Sequence, residues 1–232
     1  MNALLLAAGF GTRLRPLTDH TPKCLVEING RPLLDYWLQD LHAAGVTKFV
    51  INTHHLAETV RSYVRQHALA PLIRIVHEDN LLGTAGTLLA NADFLKRGTT
   101  LVAHADNLCL CQWTEFFRSH QSRPDDTWMS MMTFRSDEPC QCGIVEIDKH
   151  GIVQAFHEKV PHPPGNLANA AVYLIEPRIL EFILSLGPDI TDLSTQILPS
   201  LAGRIDTWQN RGVLIDIGTP ERLAMARLQL EL

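Results

Sequence analysis

"LLLAAGFGTRLRPLT", Leu4–Thr18, joins an apolar run to a glycine-bearing, cationic loop. The run is continuous rather than alternating, as in a strand buried on both faces. Gly9 and Gly11 lack Cβ atoms, so the backbone after the strand can turn sharply and bring N–H groups close to an anion. Thr12 adds a hydroxyl donor. Arg13 offers a planar fork that matches phosphate oxygens. Arg15 and Lys23 add two further cations around the same turn, where they would repel one another unless an anion were expected. The loop therefore reads as a polyphosphate site. Two familiar phosphate loops do not fit it. The G-x-x-x-x-G-K-[ST] pattern is absent, and the dinucleotide pattern needs a third glycine or alanine where Leu14 stands.

Outward from this loop the first half alternates. "NALLLAA" reads as a strand and "PLLDYWLQDLHAAG" as a helix, with Pro32 near its start and Gly45 as its stop. "KFVIN", "LIRIVHE" and "TLVAHAD" read as further strands, with "LAETVRSYVRQH" and "GTLLANADFLK" as the helices between them. Apolar strands alternating with helices predict an open α/β sheet whose strands run parallel. Such a sheet binds ligands at the carboxyl ends of its strands, where the opening loop lies. The second half is more mixed. "WMSMMTF", "GIVEID", "GIVQAFHE" and "NAAVYLIE" read as strands joined by turns, so an antiparallel portion is expected. Helical stretches surround "EFILSL" and "DLSTQILPSL". "VLIDIG" is a last strand, and "TPERLAMARLQLEL" a closing helix with Thr219 as N-cap and Pro220 at N1. No linker divides the chain, so residues 1–232 are read as a single domain.

The chain has 232 residues, 46% of them hydrophobic, enough for a full core. Its net charge of -5 carries no basic stripe of the kind nucleic acid requires. No apolar run approaches the roughly 20 residues that span a bilayer. "ALLLAAG" is short and has no basic stretch before it, so it does not read as a secretory leader, and the cytoplasm is the expected compartment. The five cysteines are Cys24, Cys109, Cys111, Cys140 and Cys142. An odd number without a leader argues against a disulfide scaffold. "CLC" and "CQC" are spaced more tightly than structural zinc sites, and ordinary reduced thiols are the better reading. The histidines His54, His55, His77 and His104 show no Ser/His/Asp or Cys/His pattern.

"LAAGFGTRLRPLTDHTPKCLVEINGRPLLDYWL" resembles the amino-terminal signature of the sugar-1-phosphate nucleotidylyltransferases. "LLGTAGTL", "AHADN", "FHEKV", "NAAVYL" and "DIGTPE" extend the resemblance over nearly the whole chain. It implies an open three-layer, Rossmann-like, mostly parallel sheet of nucleotidyltransferase (GT-A-like) type. It also implies transfer of a nucleotidyl group from a nucleoside triphosphate to a sugar 1-phosphate, with release of pyrophosphate. Direct displacement needs no nucleophilic side chain. Both reactants are anions, so they must be held in line while the developing charge is neutralised. By the resemblance, Asp106 and Asp216 are carboxylates for a magnesium ion, with Asn107 assisting there or at the sugar. Arg13 holds the leaving pyrophosphate, Lys23 the α-phosphate region, and Lys159 the sugar phosphate. Ala7, Ala8, Gly9, Gly11, Thr12, Gly83 and Thr84 belong to the nucleotide site. Gly143, Glu158 and Asn169 address the sugar.

Counting back from Gly83, Glu78 is the residue expected to read the base. A carboxylate has only acceptors, and guanine offers adjacent N1–H and 2-amino donors. "LGTAG" resembles the mannose-1-phosphate guanylyltransferase branch. GTP and mannose 1-phosphate are therefore the first expectation; a manno-heptose 1-phosphate, or UTP or CTP with another phosphorylated acceptor, stays open. Three positions depart from the family pattern: Cys24 in "PKC", Ala105 in "AHAD" and Ala171 in "NAA", the last narrowing the sugar pocket. The additional carboxyl-terminal domains of longer members are not seen, which fits the expectation of a compact, single-function enzyme. A non-catalytic regulatory subunit would not need both metal carboxylates, and a glycosyltransferase would show D-x-D where "ADN" stands. A homo-oligomer is compatible with the sequence, which does not set its size.

Overall fold

A computed structural model describes residues Met1–Leu230 and turns the opening apolar run into strand β1 (Asn2–Leu6). The last two positions expected in the closing helix, Glu231 and Leu232, lie outside the described residues. After β1 come β2 (Glu27–Ile28), β3 (Arg31–Pro32), α1 (Leu33–Ala43), β4 (Lys48–Thr53), α2 (Ala57–Gln66) and β5 (Ile73–His77). Next are α3 (Gly83–Ala90), α4 (Ala92–Leu95), β6 (Thr100–His104), β7 (Asn107–Leu110), α5 (Trp113–Gln121) and β8 (Met129–Arg135). The rest comprises β9 (Gly143–Ile147), β10 (Val153–Glu158), β11 (Leu167–Ile175), α6 (Arg178–Ser185), β12 (Ile205–Gln209), β13 (Val213–Asp216) and α7 (Pro220–Gln229). The fold is mixed α/β with a mostly parallel central sheet, as the alternation predicts.

The chain falls into two compact units, each assembled from separate stretches. The first comprises Met1–Leu81, Ala103–Trp113 and the chain from Gly212 on; the second, Leu82–Val102 and Thr114–Arg211.

In the first unit β1 pairs in parallel with β4, Leu6 opposite Asn52, and β4 with β5, Thr53 opposite His77. The ladder runs on past the strand ends: the Glu78 N–H donates to the Thr53 carbonyl at 2.8 Å, and the Ala105 N–H to the Leu6 carbonyl at 2.9 Å. Parallel strands in register put their carboxyl ends on one edge, so the opening loop, His54, Glu78 and Asp106 all follow strands at that edge. Helix α1 buries Leu33, Leu34, Trp37, Leu38 and Leu41, a stripe at helical spacing. Each such side chain contributes about 1.5–3 kcal/mol by leaving water. Helix α7 begins as its sequence predicts: the Thr219 side chain accepts from the Arg222 N–H, with Pro220 at the first helical position. β7 pairs antiparallel with β13, and this ribbon was not anticipated.

In the second unit β11 lies antiparallel to both β8 and β9, β9 to β10, and β12 runs parallel to β8. β12 and α5 went unread in the sequence, and the expected helix over "GTLLANADFLK" is two helices, the first starting three residues earlier at Gly83. Asn91 makes the break: its side-chain amide donates to the Thr87 carbonyl at 3.0 Å, competing with the helical backbone there.

Candidate active site

The β7–β13 ladder places Asn107 opposite Asp216. Asp106, one residue earlier, is thereby brought beside Asp216, two acids far apart in sequence. The Trp37 indole N–H on α1 donates to the Asn107 carbonyl at 2.8 Å and fixes the ribbon to that helix. Between the acids sits the Lys23 ammonium, 2.8 Å from Asp106 Oδ2 and 2.7 Å from Asp216 Oδ1. The Lys23 side chain is only 7% exposed. A buried ammonium needs paired charge, and two carboxylates supply it. The Arg13 guanidinium donates to Asp216 Oδ2 at 3.2 Å. Burial pushes the Asp216 carboxyl up, but the Lys23 and Arg13 charges outweigh it and hold the group below its ordinary value of 3.8.

Arg13 lies across Gly218. A Cβ there would stand 2.7 Å from Arg13 Nη2 and 3.0 Å from Asp216 Oδ1. In "DIGTPE" the signal for this glycine is its place two residues after a metal-candidate aspartate.

The opening loop is fastened on several sides. Gly11 adopts φ +64, and a Cβ there would meet Thr18 Cγ2 at 2.9 Å. The Thr18 hydroxyl donates to the Gly11 carbonyl at 2.8 Å, and Thr12–Leu14 form a single 3₁₀ turn. A Cβ on Gly9 would meet nothing within 4 Å. Ala7 does not offer its N–H to a ligand, because Asn52 Oδ1 accepts it at 2.8 Å. Asn52 Nδ2 in turn donates to Glu78 Oε1 at 2.9 Å. Glu78 is buried, at 5% exposure, and its backbone carbonyl accepts from His54 Nδ1 at 2.7 Å. The sequence identified the two ends of this relay and missed Asn52, its middle. Phe10 remains exposed at the loop tip, edge-on to His54 with ring centroids 5.3 Å apart.

The second unit holds the remaining predicted residues. Gly83 adopts φ +72, and a Cβ there would strike the Thr191 carbonyl oxygen. Thr84, expected in the nucleotide site, has a hydroxyl that accepts from the Leu193 N–H at 2.7 Å and donates to Asp192 Oδ2 at 3.5 Å. It fastens α3 to the π-helical turn Leu193–Ile197. Gly143 pairs with Glu158 across the β9–β10 ladder. A Cβ on Gly143 would lie 2.5 Å from Phe156 Cζ and 2.6 Å from Glu158 Oε2. Its missing side chain thus makes room for the Glu158 carboxylate. Lys159 Nζ is 3.5 Å from Glu158 Oε1, with the lysine side chain 63% exposed. Asn169 Oδ1 accepts from the Ala171 N–H at 3.0 Å, and Asn169 Nδ2 donates to the Tyr173 hydroxyl at 2.7 Å. These bonds hold the irregular stretch of β11 between Asn169 and Tyr173. Ala171 there has φ +54, a left-handed conformation that glycine adopts without strain.

A family model of nucleotidyl transferases matches residues 2–231. The chain belongs to the nucleotidyl transferase family. The mannose-1-phosphate guanyltransferase of Aspergillus oryzae is 30% identical over 229 residues, which is 95% of this chain and 62% of that protein. The chain spans about 62% of the length of the curated relatives it matches. Among solved structures, UDP-glucose pyrophosphorylase complexed with UDP-glucose superposes with a TM-score of 0.85 at 20% identity, over 99% of this chain and 98% of the other. HddC from Yersinia pseudotuberculosis complexed with GMP-PN gives 0.81 at 23% identity, over 99% of each. These two likenesses concern the fold.

The chain also contains an alignment that the sequence pattern had not shown. Glu176 Oε1 lies 3.0 Å from His120 Nε2, and His120 Nδ1 lies 2.8 Å from the Ser130 hydroxyl. Acid, imidazole and hydroxyl stand in the order of a hydrolytic triad, but Ser130 is fully buried and has no access to a substrate. Burial and the Arg123 charge also push the His120 pKa down. The array is a buried tie. Cys24, where the family pattern has proline, is 2% exposed, and burial pushes its thiol up to about 12. A thiol that stays protonated is neither nucleophile nor metal ligand. No helix among the described residues is long and apolar enough to cross a membrane.

Proposed function

We propose that this chain transfers guanylyl from GTP to mannose 1-phosphate, releasing pyrophosphate. The observation that carries the reading is the Lys23 ammonium gripped by Asp106 and Asp216, with Arg13 on the second acid. Two carboxylates and two cations gathered at one sheet edge suit a reaction between polyphosphates. An oxygen of the sugar phosphate attacks the α-phosphorus, the α–β bridging bond breaks, and its electron pair leaves with pyrophosphate. Arg13 is 68% exposed at its side chain, so its fork is available for the leaving phosphates. Lys23 neutralises charge at the α-phosphate. Lys159 and Glu158 take the sugar phosphate and hydroxyls, with Asn169 adding a hydrogen bond.

Asp106 and Asp216 present oxygens converging on one point, the donor set by which magnesium is bound through one or two carboxylates together with substrate phosphates. When bound, the ion supplies positive charge to the reacting phosphate oxygens. Glu78 reads guanine in this proposal. Asn52 orients its carboxylate, and a carboxylate has only acceptors to offer a base edge. The names of the curated relatives support the base and the sugar.

The test is pyrophosphate release with magnesium, mannose 1-phosphate and each common nucleoside triphosphate in turn. Release with GTP above the others is expected. Release with UTP or CTP instead would overturn the assignment of the base, and silence with every triphosphate and a wider panel of sugar phosphates would overturn the reaction.

A further inference from the structure

Of the four oxygens on Asp106 and Asp216, three are engaged by this chain's own cations: two by Lys23 and one by Arg13. Lys23 stands where the two carboxylates converge, at 2.8 and 2.7 Å. Its side chain is nearly sealed from water, so the ammonium's principal partners are these acids. The two acids and two cations balance in charge. A divalent cation arriving at the same oxygens would meet the ammonium at close range, in a setting where like charges repel more strongly than in bulk water. The ammonium and the divalent cation therefore cannot both hold this pair of acids in the arrangement seen.

We infer that Lys23 is the resident counter-ion of the divalent-cation site, keeping it closed until nucleotide phosphate draws the ammonium away. Lys23 then has two successive partners, the acid pair in the bare protein and the α-phosphate in the complex. Cation binding becomes dependent on nucleotide, because an anion must take Lys23 before the acids are released. The gain is that the acids stay paired and positioned while no substrate is present. The inference rests on the proposed reading of Asp106 and Asp216 as cation ligands, and it concerns the order of binding rather than the reaction.

The experiment measures Mn²⁺ binding to the full chain without nucleotide, by the loss of the free-ion electron paramagnetic resonance signal and by calorimetry. Wild type is compared with Lys23→Met and Lys23→Gln, the latter keeping a donor to the acids should the methionine variant fold poorly. Far-UV circular dichroism checks both folds. Neutral residues at position 23 are expected to tighten Mn²⁺ binding at least tenfold, and a further Asp216→Asn change should abolish the gain. Equal or weaker binding in a folded variant overturns the inference. Pyrophosphate release by wild type is measured alongside. Activity with unchanged Mn²⁺ affinity in the variants refutes the counter-ion role and leaves the reaction standing. A gain that persists after Asp216→Asn means the cation sits elsewhere, and the reading of the acid pair falls with the inference.

Discussion

Gly218→Ala isolates the placement of Arg13 from its presence. The added Cβ would stand 2.7 Å from Arg13 Nη2 and 3.1 Å from Cζ, against a comfortable non-bonded separation of about 3.5–4.0 Å. The guanidinium must retreat by roughly 1 Å. Its bond to Asp216 Oδ2 is already 3.2 Å long, so that retreat breaks it. The stability cost is small, because the Arg13 and Asp216 side chains are 68% and 49% exposed and exposed pairs contribute about 0–1 kcal/mol. A melting temperature lower by at most about 4 °C follows for a chain of this size. Catalysis is more sensitive, since a misplacement of about 1 Å can cost on the order of a hundredfold. Pyrophosphate release should show kcat/KM reduced by about that factor. Gly218→Ala made in an Arg13→Ala background should then do almost no further harm, because the group it displaces is gone. A full hundredfold loss in that background would show that the methyl acts on Asp216 instead, and near-normal activity in the single variant would remove Gly218 from the site.

Ala171→Gly relieves a left-handed backbone costing about 1–2 kcal/mol, against an unfolded-state entropy penalty of about 0.4–1 kcal/mol. Urea denaturation should show a net gain of about 0–1.6 kcal/mol, and a loss would mean that the alanine methyl packs. Gly83→Ala faces both a positive φ and the Thr191 carbonyl, so it should cost at least about 2 kcal/mol; a chemical-denaturation midpoint matching wild type would contradict that contact. Burial pushes the Asp206 carboxyl up to about 6 from 3.8, partly offset by bonds from Ser130 and Thr207. The folded state therefore binds the proton more tightly than the unfolded state, and stability falls as pH rises from about 4 to above 6, by about 3 kcal/mol. Asp206→Asn should be more stable than wild type at pH 8, with the advantage shrinking towards pH 4; an advantage independent of pH would refute the shift. Glu78→Gln should narrow the preference for GTP over UTP in competition assays, and unchanged selectivity would place base reading elsewhere.

The parallel half of the sheet was legible because its signal is local. Each strand is a continuous apolar run and each helix an amphipathic one, so β1, α1 and β4 could be read in windows of a dozen residues. The acid pair was legible only as two separate motifs. What unites Asp106 and Asp216 is the ladder between β7 and β13, two four-residue strands too short to announce themselves. Asn52 was missed for a similar reason: in "KFVIN" it reads as a strand end, and only the pairing with β1 brings its amide to Ala7. Thr84 shows the converse. Its motif pointed to a ligand, while its hydroxyl is already engaged with Leu193 and Asp192. A motif gives residue types and spacing, but how much hydrogen-bonding capacity remains depends on segments a hundred residues away.

The opening loop carries this distinction furthest. Glycines and cations made it look like a flexible anion cradle, yet its start is tied through Asn52 to Glu78, its turn is closed by the Thr18 hydroxyl, and Lys23 beyond it is clamped between two acids. Between Ala7 and Leu14 the exposed residues are Gly9, Phe10, Thr12 and Arg13, and of these Phe10 and Arg13 carry the long side chains. A site that must orient a polyphosphate gains from having its donors fixed before the ligand arrives, because no reorganisation is then required during reaction. The same ties make Glu78 serve two ends. Through Asn52 it sets the position of the Ala7 backbone, and in the proposed reaction it also reads the base. Loss of the Glu78 carboxylate should therefore loosen the loop as well as blur the choice of base, so its substitutions have to be judged on the affinity for every triphosphate as well as on the ratio between them.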